Sequence, residues 1–567
     1  MINDASVVIG GGNWGIKEAD VLGYKLINDE YYARDIDFAN STAAGTYTDS
    51  TGVIRKAPYN LASWSEQFDN AAWVKTGTTI TPNTTTAPNG TLTADTMSIA
   101  DSNSRIVQVT SLGAGTYTIS AYVKVLSTTT AGTIRFAPVV DGSNTNSFFT
   151  PTSEWARYTQ TFTATTGVTA IALRGAPGGF VGDVAIWGAQ LVEGTEALPY
   201  FPTTTRLNVP RIDYRNADGS LSTVGRLLLE PQRTNSLFYS EQFDNAYFAK
   251  GNSSILANAA ISPSGNQDAD KLVPDTSNSI HSVNKSSQSI VGGIYSVFAK
   301  ADGYDWILLT SHSSSSPPTR GAFFNVNNGT VGTTGAGVNA NIQNYGNGWY
   351  RCSISEGNSP SSIWTVIATN ADNVITFTGN GTDGVLIWGG QNEQGTYPTT
   401  YIPTTTAAVT RNADLATRSG VESWIGQTQG TMFAEINLSN LSLPKAVIGT
   451  SDGTLNNRII LSFATSTSFT ATVRVGGSNL DFGITIPTIP ATGGNYKVAL
   501  SYAANNYMVA INGTLYTPTS PASVPSANTI LLGQNGGGAN IPLDGIAQAA
   551  IFPTRLTNSQ LQSLTTL

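Results

Sequence analysis

The sequence predicts an all-β chain: three antiparallel β-sandwich domains in tandem, behind a short N-terminal anchoring region. Three observations carry that expectation. Apolar side chains recur with a period of two along many short runs bounded by Gly, Pro, Asn and Ser, the pattern of strands with one buried face. A set of five landmarks occurs twice in the same order, so one folding unit is duplicated. After Thr406 a third and different set of alternating runs takes over.

Bulk composition narrows the function classes. A length of 567 residues implies about three or four domains. Charged residues make up 12%, roughly half the usual share of about 25%. With 40% hydrophobic residues and 10 Trp, the chain lacks the composition of a disordered tail. A net charge of −8 without any Lys/Arg cluster argues against a nucleic-acid surface that tracks phosphates. Cys352 is the one cysteine, which leaves no intrachain disulfide framework and no thiolate zinc cluster. His281 and His312 are too few for a multi-histidine metal site and read as ordinary loop or strand residues. No run approaches the roughly 20 apolar residues that span a bilayer. The start, MINDASVVIGGGNWGIKEAD, has neither a basic n-region nor a continuous apolar h-region. Synthesis in a cytosol without a signal peptide is therefore expected, with no membrane insertion.

Taken in order, residues 1–56 form the N-terminal anchor or linker region. Residues 1–33 match neither of the later patterns and suit an anchor to a larger assembly or a strand-bearing arm packed on the first module. The first copy of the repeat spans 57–206 and the second 235–406, joined by a connecting segment, 207–234. NLASWSEQFDNAAWVK (60–75) corresponds to NSLFYSEQFDNAYFAK (235–250), and PNGTLTADTM (88–97) to PSGNQDADKL (263–272). GTYTISAYVK (115–124) corresponds to GIYSVFAK (293–300), and WARYTQTF (155–162) more weakly to WYRCSIS (349–355). Each copy closes alike, with DVAIWGAQLVEGTEALPYFPTTT (183–205) and GVLIWGGQNEQGTYPTTYIPTTT (384–406). In the strand beginning at Gly115, Tyr117, Ile119, Ala121, Val123 and Val125 share one face, opposite Thr118, Ser120 and Lys124. DVAIWGAQL is apolar on both faces and reads as a more central strand. Many short strands and Gly-rich turns favour two packed antiparallel sheets per copy.

The flanks of the first copy, residues 34–60 and 206–235, resemble the two halves of one motif common in phage tail and fibre proteins. In it a Phe-x-Arg/Asn-x-Ser-x-Ala-Thr-Tyr run leads through Asn-Val-Pro-Arg to Leu-Leu-Leu-Glu-Pro-x-Arg-Thr-Asn. If the first copy is inserted within that motif, residues 36–56 and 208–232 meet in space despite the module between them.

The third domain, 407–567, carries GTMFAEINL, NRIILSFAT, FTATVRV and YKVALSY, with Tyr496, Val498, Leu500 and Tyr502 on one face. In NNYMVAINGTLYT, Asn512-Gly513 supplies the positive φ angles of a two-residue hairpin. NTILLGQNGG and DGIAQAAIFPTRL follow, and LTNSQLQSL ends as a short helix with Thr557 or Asn558 as N-cap. This order is similar to laminin-G/concanavalin-A-like domains over roughly 420–567. The repeated modules resemble the carbohydrate-binding-like jelly rolls of phage tail proteins, over roughly 57–205 and 230–406. These resemblances imply jelly-roll sandwiches in a virion structural protein, a tail or head fibre that adheres to host-surface glycans. They also imply other virion proteins and host cell-surface polysaccharide as partners, and residence in the virion after synthesis in the host cytoplasm. A homo-oligomer is implied too, a trimer as in many phage fibres, although no heptad coiled coil enforces one. Two alternatives stay open. One is a purely architectural baseplate or capsid-decoration protein that binds no glycan. The other is a polysaccharide-degrading enzyme.

Chemistry is sparse. A glycosidase needs two carboxylates about 5 to 9.5 Å apart, yet the third domain holds only Glu422 and Glu435 and no Glu-x-Asp-x-Glu run. Glu66, Glu193, Glu241 and Glu393 sit in the repeat signatures, where capping or turn roles are expected. G-x-S-x-G is absent, and GGG at 10–12 and 536–538 lacks the strand-to-helix context of a phosphate loop. The expectation is a non-enzyme with no catalytic residues. Trp155, Trp187, Trp349 and Trp388 fall within repeat landmarks and read as core. Candidates for ligand contact lie outside them: Tyr304, Trp306 and Trp364 in the second copy, and Asp452, Asn456 and Arg458 in a Gly/Asn-rich loop of the third domain. Domains related to the third bind calcium or glycan on such rim loops, but no full calcium ligand set can be read, so no cofactor is expected.

Overall fold

A computed structural model of the chain describes residues 4–10, 23–27, 30–33, 36–39, 44–57, 59–112, 115–140, 143–164, 167–195, 197, 200, 202–204, 210–216, 218–291, 293–311, 320–356, 360–438, 443–490, 493–518, 523–535 and 543–567. His312 and both GGG runs beyond Gly10 lie outside these residues. The described chain is antiparallel β-sandwich almost throughout. It divides into two compact units, residues 58–209 and residues 1–57 with 210–567.

The first unit is copy one. One of its sheets runs Ala156–Ala164, Gly115–Thr130, Val181–Glu193, Ala94–Ile99, Ile80–Thr85. In the other, Arg105–Leu112 lies between Val74–Thr76 and Gly167–Gly175, and Gly167–Gly175 also pairs Ile134–Phe136 and Val139–Val140. The inner faces meet in a core that includes Ile106, Ile119, Val123, Phe136, Ile171, Leu173, Ile186 and Leu191.

Copy two, in the other unit, repeats this plan. Its sheets run Ala249–Gly251, His281–Val291, Pro360–Thr369, Trp306–Thr310, Gly321–Asn325, Thr330–Thr334, and Ser253–Ile261, Gln267–Pro274, Gly384–Gln394, Gly293–Asp302, Trp349–Glu356, Val338–Gly346. The shared sequence landmarks are shared contacts. Asp95 accepts hydrogen bonds from the Phe68 and Asn83 amides at 2.8 and 2.9 Å, and Asp270 accepts from Phe243 and Asn258 at 2.7 and 2.9 Å. Lys75 caps the carbonyls of Asp69 and Asn70 as Lys250 caps those of Asp244 and Asn245. The glycine of each IWG is required where it stands. Gly188 and Gly389 take φ of 65° and 62° beside register shifts in their pairing, and a bulge in that region of φ is open chiefly to glycine.

The third sandwich is assembled from three stretches of chain. Its larger sheet orders Glu30–Ala33, Gly23–Ile27, Val7–Gly10, Leu543–Phe552, Gln429–Leu438, Gly494–Ala503, Asn506–Ile511, Thr514–Tyr516, with Leu221–Leu229 also paired to Leu543–Phe552. The facing sheet orders Asp37–Ala39, Leu415–Ser419, Thr529–Leu532, Lys445–Ser451, Arg458–Thr465, Ser468–Val475, Ser478–Thr485. Residues 1–56 and 207–234, expected as an anchor and a connector, thus supply strands to this sandwich, and Val7, Ile9, Ile36, Phe38, Leu227 and Leu229 belong to its core. The physical reason is edge protection. Leu543–Phe552 would otherwise expose a row of unpaired backbone groups, and VVIG, buried at all four positions, needs a sheet covered on both faces. Asn512 and Gly513 adopt φ of 47° and 78°, closing the two-residue hairpin between Ile511 and Thr514. Thr557 is the N-cap of the helix Asn558–Thr565, in a capping box with Gln560.

The two halves of the interrupted motif do meet. Thr48 donates its amide to Asp213 at 2.5 Å, and Arg211 donates to the Thr46 carbonyl at 2.9 Å. Arg211 is the centre of a buried ionic cluster. It pairs with Glu230 at 2.7 Å and with Asp414, while Arg411 approaches Glu230 at 2.9 Å. Thr400 donates both its amide and its hydroxyl to Glu230, at 2.7 and 2.6 Å. The Asp414 carboxylate also accepts the Glu230 amide at 2.9 Å. Burial alone would raise the Glu230 carboxyl, but Arg411, Arg211 and the Thr400 donors outweigh it and bring the pKa down to about 2.

Removing one member leaves the others charged and dry, a loss of about 3–5 kcal/mol. Glu230→Ala is expected to lower unfolding stability by that amount in denaturant titrations. The pH sign follows from the depressed value. The Glu230 contribution is complete above its unfolded-state pKa of about 4.3 and fades as pH falls towards about 2. Melting temperature should drop across that window in the parent chain and more shallowly in Glu230→Gln.

Candidate functional site

Copy one turns the outer face of its second sheet to solvent, and register alone determines what stands there. Along Arg105–Leu112 the inward positions Ile106 and Gln108 are buried, whereas Val109 on the outward side is 62% exposed. Two cross-strand rows result. Val74, Val107 and Ala172 face one another across three strands, and the Ala137 amide bonds the Ala172 carbonyl, which gives an apolar strip. One step along, Thr76, Arg105, Arg174 and Arg135 pair in register, which gives a basic row. A groove of about 300 Å³ is lined by Val74, Val107, Val109, Ala137 and Ala172 together with Thr76, Arg105 and Arg174 of the basic row, Arg135 lying outside it.

The three arginines have no counter-ion among the described residues. Their hydrogen bonds go to backbone carbonyls: Arg105 to Asn103 at 3.3 Å, Arg174 to Ser102 at 3.0 Å, Arg135 to Gly175 at 3.2 Å. Arg135 also lies 5.6 Å from the centre of the Phe148 ring. The Arg174 Nε is buried without a hydrogen-bond partner. Desolvation lowers the Arg174 pKa most, and the neighbouring charges of Arg135 and Arg105 lower it further. Like charges directly opposite on adjacent strands are destabilising, so this row costs the module stability while the groove is empty.

Copy two shows what the same face becomes without the arginines. Lys250 pairs Val283 as Lys75 pairs Ile106, so Ser282, Ile367 and Leu308 occupy the places of Arg105, Arg174 and Arg135. Leu308 and Ile367 form a buried cluster with Phe323, and Trp306, Ile280 and Ile375 pack against it. The connection after Gly167–Gly175 in copy one reaches the next strand at Val181; in copy two it runs from Thr369 to Gly384. That longer connection lies down as a cover. Asp372 accepts from the Thr333 amide and hydroxyl at 2.8 and 3.0 Å, and Phe377–Thr378 pairs with Asn278–Ser279. The His281 ring is buried beneath it, 2.6 Å from the Asn252 carbonyl and 2.9 Å from that of Phe377.

The residues singled out from the sequence take different places. Trp364 is 0% exposed and stacks on Phe243 at 5.6 Å; it is core, and the expectation of ligand contact there is corrected. Its Ser-rich surroundings hid an inward strand position. Trp306 is half-buried against the Leu308 cluster, and Tyr304 meets Phe377 edge-on at 5.0 Å, so both serve the cover. Asp452 holds its own loop, accepting from the Thr454 amide and hydroxyl and from Asn457 at 2.9, 2.6 and 2.8 Å. Burial is the largest single influence and raises its carboxyl, but these bonds together outweigh it and bring it below the usual value. Arg458 is buried and donates to the Asn535 carbonyl, while Asn456 is exposed in the same loop. Among the described residues no group of three His, Cys, Asp or Glu is placed to hold a metal ion, and no helix is long and apolar enough to cross a membrane.

The carboxylates of the repeat signature are mostly engaged in structure. Glu66 accepts from the Tyr200 hydroxyl at 3.1 Å, and Glu393 accepts from the Thr399 amide and hydroxyl at 2.8 and 2.6 Å. Trp187 and Trp388 pack on Tyr200 and Tyr401 within each copy, as core.

No protein-family model matches the chain, and no curated protein matches it. Solved structures align with it at low identity. The tandem CBM22-1-CBM22-2 domain of Paenibacillus barcinonensis Xyn10C is 11% identical over 60% of this chain and 99% of its own, with a TM-score of 0.24. The CBM40 of the Ruminococcus gnavus IT-sialidase is 15% identical over 25% of this chain and 85% of its own, with a TM-score of 0.22. Domains LG4-5 of the mouse laminin alpha1 chain are 9% identical over 50% of this chain and 90% of their own, with a TM-score of 0.20.

The assignment of Trp364 to the core has a measurable consequence. Trp364→Ala is expected to cost about 3–5 kcal/mol in denaturant unfolding, and Trp306→Ala, at the half-buried cover, clearly less.

Proposed function

We propose that this chain is a structural protein of a bacteriophage particle, a tail or head fibre whose first module holds glycans of the host surface. The observation that carries the reading is the open groove of copy one, with an apolar strip beside arginines that have no counter-ion among the described residues. A sugar has the matching chemistry, with an apolar ring face and a rim of polar groups. The phage-type motif supports the particle context, because its two halves are joined through Arg211 and Thr46. Other virion proteins are the structural partners, and host cell-surface polysaccharide is the ligand. The protein acts as a homo-oligomer, a trimer, in which several shallow sites gain affinity by acting together.

Copy two favours an architectural role within the same fibre. Its corresponding face is sealed by its own cover, so it serves as a spacer and a contact surface for neighbouring proteins.

The test is a glycan array probed with the full chain at high valency, paired with host-cell adsorption in competition with the same protein. Selective glycan capture and blocked adsorption are expected. Silence on the array together with unimpeded adsorption would leave the architectural role for the whole chain. Release of reducing ends from host polysaccharide would instead point to an enzyme.

A further inference from the structure

We infer that the groove of copy one takes an anionic saccharide, a sugar bearing a carboxylate or a sulfate ester, with its charge on Arg105 and Arg174 and its apolar face on Val74 and Val107. This rests on the glycan-binding reading and specifies its ligand.

Charge is the first argument. Three guanidinium groups stand in register on adjacent strands, and Arg174 feels the repulsion of both neighbours. In the ionic cluster of the larger unit, buried arginines are matched by carboxylates. Arg211 and Arg411 share Glu230 and Asp414, and Arg233 approaches Glu393 at 3.8 Å. The row in copy one is left without such a match among the described residues, its hydrogen bonds going only to backbone carbonyls. An anion from outside would supply the missing charge, and guanidinium forks suit planar or tetrahedral oxyanions well.

Shape is the second. The apolar strip and the basic row are two residues apart along each strand, a step of about 6.6 Å, on the scale of a single sugar ring. The floor is aliphatic and small, Val and Ala instead of a stacking aromatic. Ring contact alone therefore offers little, and the charged edge must provide selectivity. A neutral sugar would leave the arginine row uncompensated.

The third is the duplicate. Copy two replaces the three arginines by Ser282, Ile367 and Leu308 and buries the apolar pair under a cover. Where the charges are absent the face is closed, and where they are present it is open. Folding needs neither the arginines nor the opening.

The experiment titrates the full chain calorimetrically with an oligogalacturonate, its fully methyl-esterified neutral form, a sulfated galactan oligosaccharide and the unsulfated galactan. Binding of at least one acidic ligand is expected, weakened by added NaCl, with its neutral counterpart about tenfold or more weaker, as loss of a charge-assisted contact implies. The two acidic arms tell carboxylate from sulfate. Arg174→Gln and Arg105→Gln should each lose about the same factor, while melting temperature stays level or rises as repulsion is relieved. Val107→Glu supplies an internal counter-charge and should abolish acidic binding in a folded chain. Equal binding of acidic and neutral forms, untouched by the Arg variants, would overturn the anionic inference and leave glycan binding standing. Acidic binding that survives all three variants would overturn the location. Absence of binding to every saccharide here and on the array would remove both readings. Failure of the Arg variants to enter particles, without any sugar binding by the parent, would assign the row to a protein partner instead.

Discussion

The arrangement of the larger unit depends on the buried ionic cluster around Arg211. Isolated charges cannot be taken from water without a cost of several kcal/mol each, and pairing repays it only when the geometry is close and further hydrogen bonds support the charged groups. Here Glu230 receives Arg211, Arg411 and two donors from Thr400, and Asp414 receives Arg211 and the Glu230 amide. Thr46 contributes its carbonyl. These groups come from the first half of the interrupted motif, its second half, the end of copy two, and the first residues of the last sandwich. The cluster is complete only when all of those segments are home. Apolar burial would tolerate many docking angles between copy two and the C-terminal sandwich. A forked, doubly paired arginine tolerates few.

That constraint also accounts for the discontinuous third sandwich. Its sheets take strands from residues 7–39 and 212–229 as well as from its own C-terminal stretch. Insertion of a module of about 150 residues between such strands is tolerable because the entropy of closing a loop grows only slowly with its length. The strands that bracket the insertion are tied to one another by Thr48–Asp213 and Arg211–Thr46, so the sandwich keeps its register whatever the intervening module becomes.

Periodicity revealed those parts of the fold whose partners are local. The Asn512-Gly513 hairpin, the Thr557 cap and the alternating faces of Gly115–Thr130 are all written within a few residues. The repeat exposed the internal contacts of both copies, since Asp95 and Asp270, or Lys75 and Lys250, do the same work at matched positions. Long-range pairing was not legible. VVIG could have joined any covered sheet, and its partner lies more than five hundred positions away. The same holds for the candidate site. Arg105, Arg135 and Arg174 are unremarkable in SRIVQV, TIRFA and ALRGA, and only strand register aligns them. The aromatic residues drew attention because sugars stack on rings. Yet Trp364 fell on the inward side of its strand, and Trp306 and Tyr304 were taken up by the cover. A signal was available in the comparison of the copies: arginine in one and no charge in the other, between otherwise matching landmarks.

The net charge of −8 sharpens what such a row can do. An acidic chain repels anionic surfaces at long range, but at physiological ionic strength that field fades over about 8 Å. Within that distance the local arrangement decides, and three guanidinium groups on one small face outweigh carboxylates spread over the rest. An anionic ligand would therefore be rejected by most of the surface and held at one place. Selectivity of this kind comes from contrast between site and surroundings. It needs no tight single contact, and it is strongest when the module beside it offers no competing site. Copy two meets that condition by turning the same sheet face into core.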